Sequence, residues 1–167
     1  MKKSLLIFAI LIGATLISCK KKKDEDPAPT QNTPTTGIDK NKLLELVNNL
    51  RTTGCTCGST NMPKVATVVW HDLLEQSATA HSKDMETKKY FSHTSQDGKN
   101  PGQRLTAVGY AWTTWAENIA NGYTSEEAVI EGWKNSEGHC KNIMNANMTE
   151  MGVGRSGNYW TQIFGKR

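Results

Sequence analysis

The stretch Met151-Gly152-Val153-Gly154-Arg155-Ser156-Gly157-Asn158-Tyr159-Trp160-Thr161-Gln162-Ile163-Phe164 decides the fold class. Its halves, Met151 to Arg155 and Tyr159 to Phe164, are β-prone runs joined by the turn residues Ser156-Gly157-Asn158, the pattern of an antiparallel hairpin. Gly152, Gly154 and Gly157 also match G-x-G-x-x-G literally. A dinucleotide loop must open a helix, however, and here a polar turn and a strand follow, so the match carries no cofactor.

Upstream of the hairpin the periodicity is helical. Asp39 can cap a helix with Leu43, Leu46, Val47 and Leu50 on one face, stopped by Gly54. Residues 55–67, with Gly58, Ser59, Asn61 and Pro63, read as a loop. From Asp72, the positions Leu74, Ala78, His81 and Met85 mark the buried stripe of a second helix running to about Tyr90. Asn100-Pro101 can open a short helix containing Arg104, Leu105 and Val108 and ending near Gly109. Thr124 and Glu127 form a T-x-x-E capping box for a helix carrying Val129, Ile130 and Trp133. Helices first and strands late, without βαβ alternation, predict an α+β domain with an antiparallel sheet.

Composition bounds the organisation. The chain has 167 residues and a formal net charge of +4, but residues 1–37 hold six lysines against three acids, which leaves residues 38–167 near neutral with 14 basic and 13 acidic side chains. A near-neutral body lacks the clustered positive charge that nucleic acid requires. Hydrophobic content of 37%, five Trp and a mean hydropathy of -0.56 describe a globular chain and exclude collagen-like, coiled-coil and multispanning classes.

The N-terminus reads as an export leader: Lys2 and Lys3 precede Leu5 to Ile17, a run without charge that is too short to span a bilayer as a helix. Leu16-Ile17-Ser18-Cys19 resembles the bacterial lipobox, which implies cleavage before Cys19 and its acylation; a plain secretory leader is the alternative. Lys20, in place of the Asp that retains many lipoproteins at the inner membrane, favours the outer membrane, on its periplasmic or its surface-exposed side. Residues 24–37 contain three Pro and four Thr with no Leu, Val, Ile or aromatic residue, the composition of a tether. The expected organisation is a signal peptide over 1–18, a lipidated Cys and disordered tether over 19–37, and one domain over 38–167.

The P-loop, H-E-x-x-H, G-x-S-x-G and C-x-x-C signatures are missing, and no activated Ser or Cys nucleophile stands out. What remains is a set of polar segments: Phe91-Ser92-His93-Thr94, Asp97-Gly98, Arg104, Gly109-Tyr110, Glu117-Asn118-Ile119-Ala120 with Gly122, Trp133 with Ser136, His139, Asn142-Ile143-Met144, Gly152-Val153-Gly154, and Tyr159-Trp160 with Gln162 and Phe164. In this order, from about Lys42 to Gly165, they resemble the CAP superfamily (cysteine-rich secretory proteins, antigen 5 and pathogenesis-related 1 proteins) in its bacterial SCP-like branch.

The resemblance implies a three-layer α-β-α sandwich with a central antiparallel sheet and a cleft lined by His and Glu. His93 corresponds to the first His of that cleft and Glu117 to the Glu of its G-E-N segment. The second Glu of animal members is missing after Trp133, where Ser136 and then His139 follow. Their remaining His has no counterpart in Asn158-Tyr159-Trp160-Thr161-Gln162. The expected ligand cleft is His93, Glu117, Ser136, His139 and Tyr159, with Trp133 packed below or beside it.

His93, Glu117 and His139, expected on three different loops, are also the candidate catalytic residues. Two imidazoles and a carboxylate could hold a divalent metal such as zinc, with His93 and His139 as ligands, though no cofactor is required. Glu117 could instead be a general base, or the three could form a purely structural polar network. A ligand-binding or interaction module is the favoured class, with an unidentified small-molecule, lipid or peptide ligand, no nucleic acid and a monomeric state. A metal- or Glu-assisted hydrolase of peptide, lipid or cell-wall material is the rival, and a structural envelope protein a third reading. His81, on the apolar stripe, reads as a core histidine, and His71 as a surface or capping group.

With Cys19 acylated, Cys55, Cys57 and Cys140 leave room for one disulfide and one thiol. A Cys-x-Cys pair is poorly placed to bridge itself, so Cys140 should bond to the loop after the first helix. Bacterial relatives often carry Cys-Gly there, which favours Cys57, with Cys55 as the alternative.

Overall fold

Asp39 and Gly54 bound the first helix, α1 (Lys40–Thr53). The Asp39 carboxylate accepts the Lys42 N–H at 3.0 Å, and Gly54 takes φ +82°, a conformation that costs a glycine little. These coordinates are a computed structural model that describes residues 37–167; the leader, Cys19 and nearly all of the tether lie outside the described residues. Leu43 and Val47 are fully buried along α1, and so is Arg51, which the apolar stripe does not foretell. Arg51 donates to the carbonyls of Ala66 (2.7 Å), Ile143 (2.6 Å), Asn145 (3.0 Å) and Met148 (3.0 Å), clamping two loops to the helix.

Residues 55–67 are not all loop. Cys55–Cys57 (β1) and Thr60–Met62 (β2) form a small antiparallel hairpin around Gly58-Ser59. Val69–Trp70 (β3) leads into α2 (Asp72–Lys88), where the His71 ring accepts the Leu73 N–H at 3.2 Å as the cap. Leu74, Ala78, His81 and Met85 are buried as their spacing predicts, and the helix stops at Lys89 in left-handed geometry. The reciprocal pair Asn100 and Gln103 opens α3 (Pro101–Ala107).

β4 (Thr114–Asn121) is a strand that periodicity does not reveal. Ala116 to Ala120 are all buried, because helices cover both faces, so the polar and apolar positions do not alternate. α4 (Glu126–Asn135) is capped by Ser125, whose hydroxyl accepts the Ala128 N–H at 3.2 Å, one residue later than the Thr124 box. Glu127 instead faces Lys42 across 3.5 Å, tying α4 to α1. A short helix, α5 (Glu137–Ile143), replaces the expected loop around His139. β5 (Glu150–Ser156) and β6 (Tyr159–Lys166) then make the expected hairpin.

The main sheet has the order β3-β5-β6-β4. β6 is antiparallel to both neighbours, but β3 runs parallel to β5, so the sheet is not wholly antiparallel as expected. On one face Met151, Val153, Trp160, Phe164, Ala116 and Ala120 pack with α1, α4 and α5; on the other, Ile163 packs with Leu74, Ala78, Leu105 and Tyr110 from α2, α3 and the loop beyond α3. Gly152 and Gly154 lie directly beneath α2: a Cβ at Gly152 would collide with the backbone at Leu74 and Glu75, and one at Gly154 with that at Ala78 and Thr79. Close helix-to-strand packing therefore accounts for these glycines.

Candidate functional site

The site is built around the edge strand β4. Alternation along it sends Glu117 to the α2/α3 face and Asn118 to the α5 face. Glu117, with its side chain only 1% exposed, is held from two directions. Arg104 of α3 donates to its Oε2 at 2.6 Å, and the His93 ring meets its Oε1 through Nδ1 at 2.8 Å. Arg104 also donates to the carbonyls of His93 (2.8 Å) and Lys99 (3.1 Å) and to Ser95 Oγ (3.1 Å), so one guanidinium fixes the whole loop after α2.

A carboxylate against Nδ1 requires that nitrogen to carry the proton, which leaves the His93 Nε2 lone pair directed away from Glu117. The His93 side chain is 51% exposed, so this acceptor is reachable.

α5 closes the other side. Asn142 donates to the Glu117 carbonyl (3.2 Å) and to Asn118 Oδ1 (2.8 Å), covering an otherwise open sheet edge. Asn118 donates in turn to the His139 carbonyl (3.2 Å) and Gln162 Oε1 (2.9 Å). His139, half-buried in the first turns of α5, is held below the ordinary imidazole pKa by burial first and by the charge of His93 second. His139 therefore stays neutral at physiological pH and its ring can act as a lone-pair donor.

The sequence-predicted site residues divide. His93 and Glu117 are in direct contact, and His139 is close enough to sense the charge of His93. Only His93 is on a loop; Glu117 belongs to a strand and His139 to a helix, which replaces the three-loop arrangement expected from sequence. Ser136 is the junction residue between α4 and α5. Tyr159 is paired with Asn121, four positions along β4 from Glu117 and so about 13 Å away at 3.3 Å per residue. Trp133 lies on the opposite face, in the core beneath α4, donating to the Ile119 carbonyl at 3.3 Å. Arg104, which the sequence places in a helix and in the series that resembles the CAP superfamily but not among the expected cleft residues, is the side chain that holds Glu117.

Among the described residues, the group of three or more metal-capable side chains whose donor atoms come together is Cys55, Cys57 and Cys140, rather than His93, Glu117 and His139. Both Glu117 oxygens are engaged, so the His pair would have to hold a metal without it; a catalytic zinc takes three protein ligands. His81 is a buried core histidine: its Nε2 donates to the Ser92 carbonyl at 3.0 Å, and the Ser95 hydroxyl faces its Nδ1 at 3.4 Å. A disulfide joins Cys57 to Cys140, with Cα atoms 5.4 Å apart.

An α+β sandwich with a buried Glu at its sheet edge, flanked by two histidines, defines a class also found by comparison. The profile of the cysteine-rich secretory protein family (CAP) matches residues 44–164, and the chain belongs to this family. The YkwD protein of Bacillus subtilis is 45% identical over 95 residues, covering 56% of this chain and 37% of that protein. An extracellular protein of Bacillus anthracis containing an SCP domain superposes with a TM-score of 0.68 at 31% identity, over 76% of this chain and 40% of that one. An outer surface protein of Borrelia burgdorferi shares the fold with a TM-score of 0.65 at 22% identity, over 78% of this chain and 96% of that one. The chain spans about two fifths of the length of the curated relatives it matches. No helix among the described residues is long and apolar enough to cross a membrane.

Proposed function

We propose that the protein works outside the cytoplasm, anchored to the outer membrane through lipidated Cys19, as a binding module whose His93/His139 cleft takes a small-molecule, lipid or peptide ligand. One observation carries the binding reading: Glu117 is buried with both oxygens occupied, while the His93 ring it orients is half-exposed. A general base must reach its proton, and a carboxylate clamped by Arg104 does not reach a substrate. Glu117 instead fixes the His93 tautomer, as an acid behind an imidazole does in many sites. The ligand then meets the His93 Nε2 lone pair and the neutral His139 ring, both of which accept a hydrogen bond or bind a divalent ion. The Bacillus anthracis and Borrelia relatives, described as an extracellular and an outer surface protein, support the extracytoplasmic placement.

The test is mass spectrometry of molecules that co-purify with the full protein extracted from its own envelope. A species bound by the wild type and lost in His93→Gln, at unchanged melting temperature, is the expected result. Equal recovery from both proteins would remove the cleft as the site, and turnover of a peptide, lipid or glycan panel that survives in His93→Gln but not in Glu117→Gln would favour the hydrolase. For the anchor, Cys19→Ser should leave the chain unprocessed or mislocalised; wild-type protein recovered mature and lipid-free from the soluble periplasm would refute it.

A further inference from the structure

Outside this site lies a second cluster of reactive side chains. The sulfurs of Cys55, Cys57 and Cys140 all fall within 4.8 Å of one another, yet only two of them are bonded, and Cys55 is a free thiol. Their placement follows from the elements that carry them. Cys55 and Cys57 are two residues apart on β1 and so share a face, and Cys140 on α5 meets that face opposite its middle, with its sulfur 4.0 Å from the Thr56 carbonyl oxygen. Cys55 Sγ lies 3.6 Å from Cys140 Sγ and 3.9 Å from Cys57 Sγ. The first distance is van der Waals contact between a free thiol and a disulfide sulfur; because Cys55 Sγ is nearly equidistant from both bonded sulfurs it stands beside the S–S bond, and a side-chain rotation must bring the three sulfurs in line before exchange.

We propose that these cysteines form a thiol–disulfide exchange site in which one disulfide alternates between two positions on β1. The Cys55 thiolate attacks Cys140 Sγ, the Cys55–Cys140 bond forms as the Cys57–Cys140 bond breaks, and Cys57 leaves as a thiolate that takes up the proton Cys55 gave to water. Each isomer holds one disulfide and one thiol, so no oxidant or reductant is consumed. Attack on Cys140 is favoured over attack on Cys57 because it is the nearer sulfur and because a Cys55–Cys57 bond would have to close within a three-residue strand.

The two isomers are chemically distinct. The free thiol is half-buried Cys55 in one and Cys57, with no exposure in the present isomer, in the other. The exchange also moves the point at which α5 is fastened by two strand residues, about 6.6 Å. Because Cys140 adjoins His139, the isomer in place biases one wall of the His93/His139 cleft. The proposal does not depend on what that cleft binds.

Burial pushes the Cys55 thiol up, with Lys134 opposing, so exchange should be slow at neutral pH and quicken about tenfold per pH unit as the thiolate fraction grows. The full protein, incubated between pH 7 and 8.5 without reductant, is quenched in acid, unfolded, alkylated at low pH and mapped by mass spectrometry. The expected result is a Cys57-alkylated fraction that appears with time, faster at higher pH, and is missing from a Cys55→Ser chain, in which Cys57–Cys140 has no thiol to displace it. In Cys57→Ser, held in a glutathione redox buffer whose oxidised form takes the two electrons and two protons, Cys55 and Cys140 should become disulfide-bonded. Cys57 labelling no greater in the wild type than in Cys55→Ser after prolonged incubation at pH 8.5 would overturn the proposal, whether or not Cys57→Ser folds. A folded Cys57→Ser chain that kept both thiols in a glutathione redox buffer would do so too.

Discussion

Two buried arginines do different work at the scale of single residues. Arg51 has no acidic partner among the described residues and directs its donors to four backbone carbonyls from two loops, so its contribution depends on a planar fork that reaches several acceptors at once. Lysine offers a single ammonium. Arg51→Lys is expected to destabilise the domain by about 3 kcal/mol, since at least two charge-assisted hydrogen bonds worth about 1.5–3 kcal/mol each are lost; urea unfolding of the two proteins measures it. Arg104 pairs with Glu117, and Arg104→Ala leaves a buried carboxylate with the His93 ring as its remaining side-chain partner. A loss of about 3–5 kcal/mol is expected on breaking such a pair from one side. Urea unfolding of Arg104→Ala beside the wild type measures the loss, and amide exchange should quicken around His93 and Lys99, whose carbonyls Arg104 also holds.

Elements meet where side chains are smallest, and this can be tested glycine by glycine. Gly154→Ala would drive a methyl into the α2 backbone at Ala78 and Thr79, where no side-chain rotamer can give way, and should cost about 3 kcal/mol or more. Gly138, in the first turn of α5, has open space around its Cβ position, so Gly138→Ala should be neutral or stabilise by up to about 1 kcal/mol through helix propensity. Thermal melts of the pair separate packing from propensity. Helices with one solvated face, α1 and α2, carry their periods openly, and the β5/β6 hairpin, buried on both faces over most of its length, was legible instead from its β-prone runs and the Ser156-Gly157-Asn158 turn. β4 was not, because burial on both faces erases alternation, and its Glu117 and Asn118 look like loop residues until Arg104 and Asn142 supply their partners. α5 was hidden for another reason. Seven residues are too few to show a helical period, and Ser136 gives it no side-chain cap. The candidate His and Glu were identifiable by type and order, but their grouping was not: Tyr159 falls four strand positions away because Asn121, not Glu117, is its register partner.

For the whole molecule, buried His81 and half-buried His139 make stability depend on pH in a calculable direction. His81 is held below the ordinary imidazole value by burial first and then by the Arg104 charge, against smaller opposing pulls from Glu117, Ser92 and Asp84; His139 is lowered by burial and by His93. Above pH of about 6.5 both are neutral folded and unfolded, and neither affects stability. As pH falls through 6.5 the unfolded chain takes up protons that the folded chain does not, so unfolding becomes easier; the loss continues down to the folded pKa values and then levels off. Carboxylates add a second, lower stage. Burial raises Glu150, but its bonds from Arg167 and Tyr110 outweigh that, and Lys88 and Tyr90 do the same for Asp84, so both sit below their ordinary values and their contribution is lost once pH drops under about 4.5. Urea midpoints should therefore be flat from pH 7 to 8, decline from about 6.5 downward, and steepen again near 4. His139→Gln should flatten part of the upper stage while leaving the lower one intact, because its ring touches none of those carboxylates. A midpoint that stayed constant between pH 7 and 5 would mean that both imidazoles titrate as freely in the fold as in the unfolded chain.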